Sequence, residues 1–160
     1  MGVIETRLEA LGLVLPPGPT PMGNYVTCAT VGEILYTSGA SCFVDGTPIF
    51  TGRVGAELTK EQGYEASRVT VLNLLSMIKA HIGELDRIER IVKVLGLVNS
   101  SLDFFEQPQV INGASDLLVE IFGEAGKHAR SALGTSSLPV NIPVEIEMIV
   151  QLKKSALECN

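Results

Sequence analysis

The chain has no tryptophan, two histidines, three cysteines and only twelve lysines and arginines in 160 residues, and each scarcity excludes something. Cys28, Cys42 and Cys159 are odd in number and show no CxxC or Cys/His spacing, which argues against a disulfide framework and a zinc site. They read as reduced thiols. His81 and His128 are the only imidazoles, and no GxGxxG, Walker, GxSxG, HExxH or EF-hand pattern is present, so nucleotide, metal and serine-triad chemistries all lack parts. No metal or cofactor is expected. Twelve basic residues against eighteen acidic ones give a net charge of −6, which opposes attraction to phosphate backbones and anionic lipid. Nucleic acid is a poor candidate partner. The longest apolar runs, such as Val94 to Val98, fall far short of the roughly 20 residues a membrane span needs. The N-terminus shows no cationic stretch leading into an apolar core, so a cytoplasmic location without a membrane partner is expected.

What the chain has in plenty is apolar side chains: 46% of residues are hydrophobic and 19% charged. The mean hydropathy is +0.30. That exceeds what one small domain needs for its core and points to a buried subunit interface. The length fits one domain over residues 1–160, of which 1–22 form an N-terminal helix and a proline-rich extension. Ile4, Leu8 and Leu11 make one face of that short helix, and Leu15 to Pro21 then breaks it.

Strands are predicted over Tyr25 to Val31 and Ile34 to Ser38, joined by a turn at Gly32-Glu33, with a brief third strand around Pro48 to Thr51 after the Asp45-Gly46 turn. Thr59 and Gln62 form a capping box for a helix whose stripe of Tyr64, Val71, Leu75, Ile78 and Ile82 runs to Gly83. Ile91 to Val98 is almost wholly apolar, as a central strand covered on both faces would be. A second helix carries Val110, Ala114, Leu117, Leu118, Ile121 and Phe122 on one stripe, although Asn112-Gly113 interrupts its pattern. Strands at Arg130 to Ser136 and Pro143 to Lys153 complete a β-β-β-α-β-α-β-β order. The fold class is α+β: a mixed β-sheet with two helices on one face and a second face that needs a partner.

Chemistry concentrates at Arg130-Ser131, Leu138-Pro139 and Val144-Glu145-Ile146-Glu147. These read as two adjacent antiparallel strands, each presenting a charge in an apolar stretch. Spacing alone favours a structural salt bridge between Arg130 and Glu145. The alternative is that Arg130 holds a carboxylate through its planar fork while Glu145 handles a proton or a water.

The segments Gly23-Asn24-Tyr25-Val26, Thr37-Ser38-Gly39, Ile111-Asn112, Ala129-Arg130-Ser131 and Leu138-Pro139 followed by Val144-Glu145-Ile146-Glu147 together make the chain resemble the reactive intermediate deaminase family. That family is also called RidA or YjgF-like, and its members were long labelled L-PSP endoribonucleases or translation inhibitors. The resemblance implies a chorismate-mutase-like fold and a homotrimer around a central β-barrel with clefts between subunits. It implies hydrolysis of 2-imino or 2-enamino acids to 2-oxo acids and ammonia, without metal or cofactor. By motif, Arg130 would hold the substrate carboxylate and Glu145 would position or deprotonate water, while Tyr25, Ser38, Gly39 and Asn112 would line the cleft. His128 and Ala132 flank Arg130 and, by the same resemblance, would belong to its pocket. Three residues depart from the pattern: Ala40 stands in place of a glutamine, Ala132 of a cysteine and His128 of a proline. A non-catalytic trimer that binds small carboxylates through the same arginine is the alternative, and an endoribonuclease ranks third.

Overall fold

A computed structural model describes residues 2–18, 20, 21 and 23–154. Pro19 and Met22 of the N-terminal extension, and Cys159, lie outside the described residues. The elements are α1 (Val3–Ala10), β1 (Cys28–Val31), β2 (Ile34–Thr37), β3 (Phe43–Val44), β4 (Thr47–Pro48), α2 (Lys60–Ile82), β5 (Ile88–Asn99), α3 (Gln107–Phe122), β6 (Ala129–Thr135) and β7 (Val144–Leu152). Five strands form one mixed sheet in the order β1-β2-β7-β5-β6, and β3 pairs only with β4. No described helix is long and apolar enough to cross a membrane.

The capping box forms as the sequence dictates: Thr59 Oγ1 accepts from Gln62 N at 3.2 Å, and Gln62 Oε1 accepts from Thr59 N at 2.8 Å. Gly83, with φ at 89°, ends α2 where an L-residue would be strained. Leu74, Leu75 and Ile78 of α2 and Ile111, Leu117, Leu118 and Ile121 of α3 are fully buried against Val94, Ile146 and Val150 of the sheet. Each such side chain contributes on the order of 2 kcal/mol by leaving water. Gly113 permits the closest approach of the two helices, since a methyl group there would strike the Tyr64 carbonyl. The glycine that interrupts the sequence pattern is therefore a packing requirement. Tyr64 itself stays outside the core and donates its hydroxyl to Asp116 Oδ2 at 2.9 Å.

Three expectations are corrected. The strands carrying Arg130 and Glu145 are not adjacent: β5 lies between them, parallel to β6 and antiparallel to β7. The β5-α3-β6 crossover is a βαβ unit, which returns β6 parallel to β5, and β6 forms the sheet edge. The brief strand expected at Pro48 to Thr51 is instead a two-residue ladder closed by Asp45 (φ 49°) and Gly46 (φ 78°). Pro48 has no N–H to extend it. The first strand is also shorter than expected and begins at Cys28, because its partner β2 ends at Thr37.

One sheet face is covered by α2 and α3. The other carries Val31, Tyr36 and Leu133, exposed at 72%, 46% and 53%, together with Leu95, Leu97 and Ile149. An apolar sheet face of this extent marks an interaction surface. The N-terminal helix docks away from it: Gly2 has no side chain to cap α1, and Asp86 supplies the acceptors, taking Val3 N at 2.6 Å and Ile4 N at 2.8 Å. Those two bonds lower the Asp86 pKa.

Candidate functional site

Register fixes which face each charged residue uses. Arg130 lies opposite Val94, which lies opposite Met148, and both of these are buried under the helices. Arg130 therefore points to the helix-covered face at the sheet edge. There its Nη1 donates to Asn112 Oδ1 at 2.8 Å and to Ser115 Oγ at 3.1 Å. Asn112 and Ser115 are three residues apart on α3, so one helix face presents both. Arg130 makes no ion pair among the described residues, and the Arg130–Glu145 salt bridge that spacing favours does not form. Because Nη1 occupies the Cδ side of the guanidinium, the parallel N–H bonds of Nε and Nη2 form the other edge. That edge has no hydrogen-bond partner among the described residues, and it matches the spacing of a carboxylate.

His128 lies behind this arginine. Its Nδ1 is 2.6 Å from the Gly126 carbonyl oxygen and its Nε2 is 3.0 Å from Ser115 Oγ. Burial first, and then the charge of Arg130, lower its pKa, against the opposing pull of the Gly126 carbonyl. Both ring nitrogens are thus engaged within the chain. Ala132, two residues beyond Arg130 on the same face, lies opposite Gly96 and packs on the core.

Glu145 lies opposite Leu97 on the uncovered face, in a shallow hollow with Gly39, Leu95, Leu97 and Glu147. Burial first, and then the charge of Glu147, raise its pKa. Gly39 is held against it by reciprocal backbone bonds between Ala40 and Ile146 at 2.9 and 3.0 Å, and by Ser41 Oγ donating to the Val144 carbonyl at 2.6 Å. A methyl on Gly39 would come within 2.6 Å of Glu145 Oε1, so only glycine leaves the carboxylate its place. Ser38 Oγ donates to the Val26 carbonyl at 2.6 Å, which ties the segment bearing Tyr25 to the same connection, and Tyr25 is 54% exposed.

The structure thus sorts the residues singled out in the sequence into two groups. Arg130, Asn112, His128 and Ala132 gather on the helix-covered face at the β6 edge. Glu145 and Gly39, with Ser38 and Tyr25 on the connected segments, gather beside β7. Within one chain the groups do not meet, because the sheet separates them. Ser115 was not singled out by sequence; its one signal was the three-residue spacing from Asn112. No group of three His, Cys, Asp or Glu side chains among the described residues is arranged to hold a metal ion.

Comparison with known proteins places this arrangement. Residues 5–152 match the model of the YjgF/chorismate mutase-like, putative endoribonuclease family. Protein TCP17 of Trypanosoma cruzi is 41% identical over 152 residues, covering 94% of this chain and 95% of its own. The crystal structure of Atu1372 from Agrobacterium tumefaciens, a protein of unknown function, is 41% identical with a TM-score of 0.88, covering 94% of this chain and 93% of that one. A putative endoribonuclease from Shewanella oneidensis MR-1 is 38% identical with a TM-score of 0.91, covering 94% of this chain and all of its own. Both in sequence and in fold, the chain belongs to the YjgF/chorismate mutase-like, putative endoribonuclease family.

Proposed function

We propose that the protein is a homotrimeric, cytoplasmic hydrolase of reactive 2-imino and 2-enamino acids, with each site assembled from the Arg130 group of one copy and the Glu145 group of the next. One observation carries the reading: neutral acceptors, Asn112 Oδ1 and Ser115 Oγ, hold Arg130, with no carboxylate, leaving a half-buried cation with an unpartnered fork. Such a group favours an incoming carboxylate. The apolar uncovered sheet face supports association, and the opposite placement of Arg130 and Glu145 supports a shared site.

In this reading Arg130 binds the substrate carboxylate and fixes C2 beside a water held by Glu145. Glu145 takes a proton as the water oxygen adds to C2 of the protonated imine. It then returns that proton to nitrogen and takes the remaining hydroxyl proton as the C2–O double bond forms and the C–N bond breaks. A 2-oxo acid and ammonia leave, and Glu145 passes its proton to solvent or to the ammonia. An imine is already electrophilic, so positioning supplies most of the acceleration. The raised pKa of Glu145 suits a group that must both accept and return a proton.

The single domain over residues 1–160 is part of the same proposal. A trimer that binds small carboxylates without turnover is the second reading, favoured by Ala132, which offers no polar group beside Arg130. RNA cleavage, named in the family description, has less support, because a net charge of −6 opposes phosphate binding. Freshly generated 2-aminoacrylate separates these readings. Wild type should speed 2-oxo acid release, and Arg130→Ala should lower kcat/KM by about 100-fold or more. Release at the buffer rate with wild type would leave the binding reading alone.

A further inference from the structure

We propose that Ser115 and His128 are positioning residues that aim Arg130, through a one-way chain of hydrogen bonds running from the guanidinium to the Gly126 carbonyl. The inference rests on the reading that Arg130 binds a carboxylate, and it adds how the fork is held.

The directions follow from chemistry. The Gly126 carbonyl can only accept, so the 2.6 Å contact requires the proton on His128 Nδ1. In the neutral ring Nε2 is then an acceptor, and the Ser115 hydroxyl, 3.0 Å away, donates its one proton to it. With that proton committed, Ser115 Oγ is free to accept, and it takes Arg130 Nη1 at 3.1 Å. Asn112 Oδ1 takes the same nitrogen at 2.8 Å. Two fixed acceptors define the guanidinium plane, and the Nε–Nη2 edge is left without a hydrogen-bond partner among the described residues.

The surroundings favour the neutral ring. Arg130 is the charge that acts on His128, and it opposes protonation. Glu124 and Lys127, on the segment that carries His128, pair with each other at 2.7 Å. Asp116 of α3 accepts from Tyr64 of α2. Lys93 of β5 lies on the uncovered face, bonded to Ser131 at 3.0 Å. A relay of this kind needs a residue whose two nitrogens play opposite roles, and neutral histidine provides that.

Two measurements test the chain. Nitrogen and carbon NMR of the His128 ring should show the Nδ1–H tautomer, and Ser115→Ala should raise the ring pKa by removing the bond that stabilises the neutral form. Calorimetric binding of 2-oxobutanoate at pH 8 should weaken about tenfold in Ser115→Ala and in His128→Phe. The double variant should be no weaker than Ser115→Ala alone, since the two act in series, and Ser115→Thr, which keeps the hydroxyl, should bind as wild type. Arg130→Ala separates the two levels. If it binds as tightly as wild type, the carboxylate reading fails. If it loses binding while Ser115→Ala and His128→Phe keep it, or if the ring is the Nε2–H tautomer, the relay is overturned.

Discussion

Arg130 and Glu145 point to opposite faces of the same five-stranded sheet, with β5 between their strands. A single copy therefore offers an unpartnered guanidinium edge on one side and a carboxylate of raised pKa on the other. The proposed chemistry needs both at one substrate, which makes assembly a condition of activity.

Gly39→Ala tests whether the Glu145 position matters. The added methyl would meet the Glu145 side chain from Oε1 to Cγ rather than backbone, so the whole side chain swings aside and the fold survives. Deamination should fall by about tenfold or more with a melting temperature within a few degrees of wild type. A variant as active as wild type would remove Glu145 Oε1 from the reaction.

The acid limb of kcat/KM should reflect Glu145. Its pKa is raised above 4.5, so loss of activity on acidification should begin above that value. Glu147→Gln removes the smaller of the two causes, so the limb should move toward lower pH without reaching that of a free carboxyl group. Stability carries the matching sign. A carboxyl raised on folding favours the native state at low pH and opposes it as pH rises through its folded pKa. Glu145→Gln should therefore melt higher than wild type at pH 7, and the gap should close as pH falls toward 4.5. A Glu147→Gln profile identical to wild type would remove the like-charge contribution.

Gly113→Ala sets helix propensity against packing. Alanine gains about 1 kcal/mol in a helix, but the methyl would lie within 2.9 Å of the Tyr64 carbonyl carbon, and α2 backbone cannot rotate away. Packing should win, with a net loss of about 2 kcal/mol by thermal or urea unfolding. A stabilised variant would mean that the two helices separate more readily than their contact implies.

Much of this framework was legible in the chain. Alternation in Val144 to Leu152 assigns Glu145 and Glu147 to the face away from the helices, and burial of Val144, Ile146, Met148 and Val150 agrees. The apolar run at Ile91 to Val98 marked a strand inside the sheet, between β7 and β6, but not its covering: Leu95 and Leu97 lie on the face that the helices leave uncovered. What a local pattern does not carry is which strands become neighbours: Ala129 to Thr135 has no clean alternation, so neither its edge position nor the face of Arg130 could be read from it. A bulge between Ile91 and Lys93 also resets the period and lets Ile91 and Val94, three residues apart, both face the helices. Ser115 was hidden for a different reason. A serine three residues from Asn112 on a helix gains a role only when tertiary contacts bring His128 and Arg130 to it.

Subunit mixing tests the shared site most directly. Arg130→Ala and Glu145→Gln chains are each inactive alone in this account. Co-refolded in equal amounts, they should place an intact Arg130 beside an intact Glu145 at about one seam in four, and 2-oxo acid release should recover to about a quarter of wild type. Activity that stays at the level of the two parents, in mixtures shown to contain both chains, would contradict a site built from two copies.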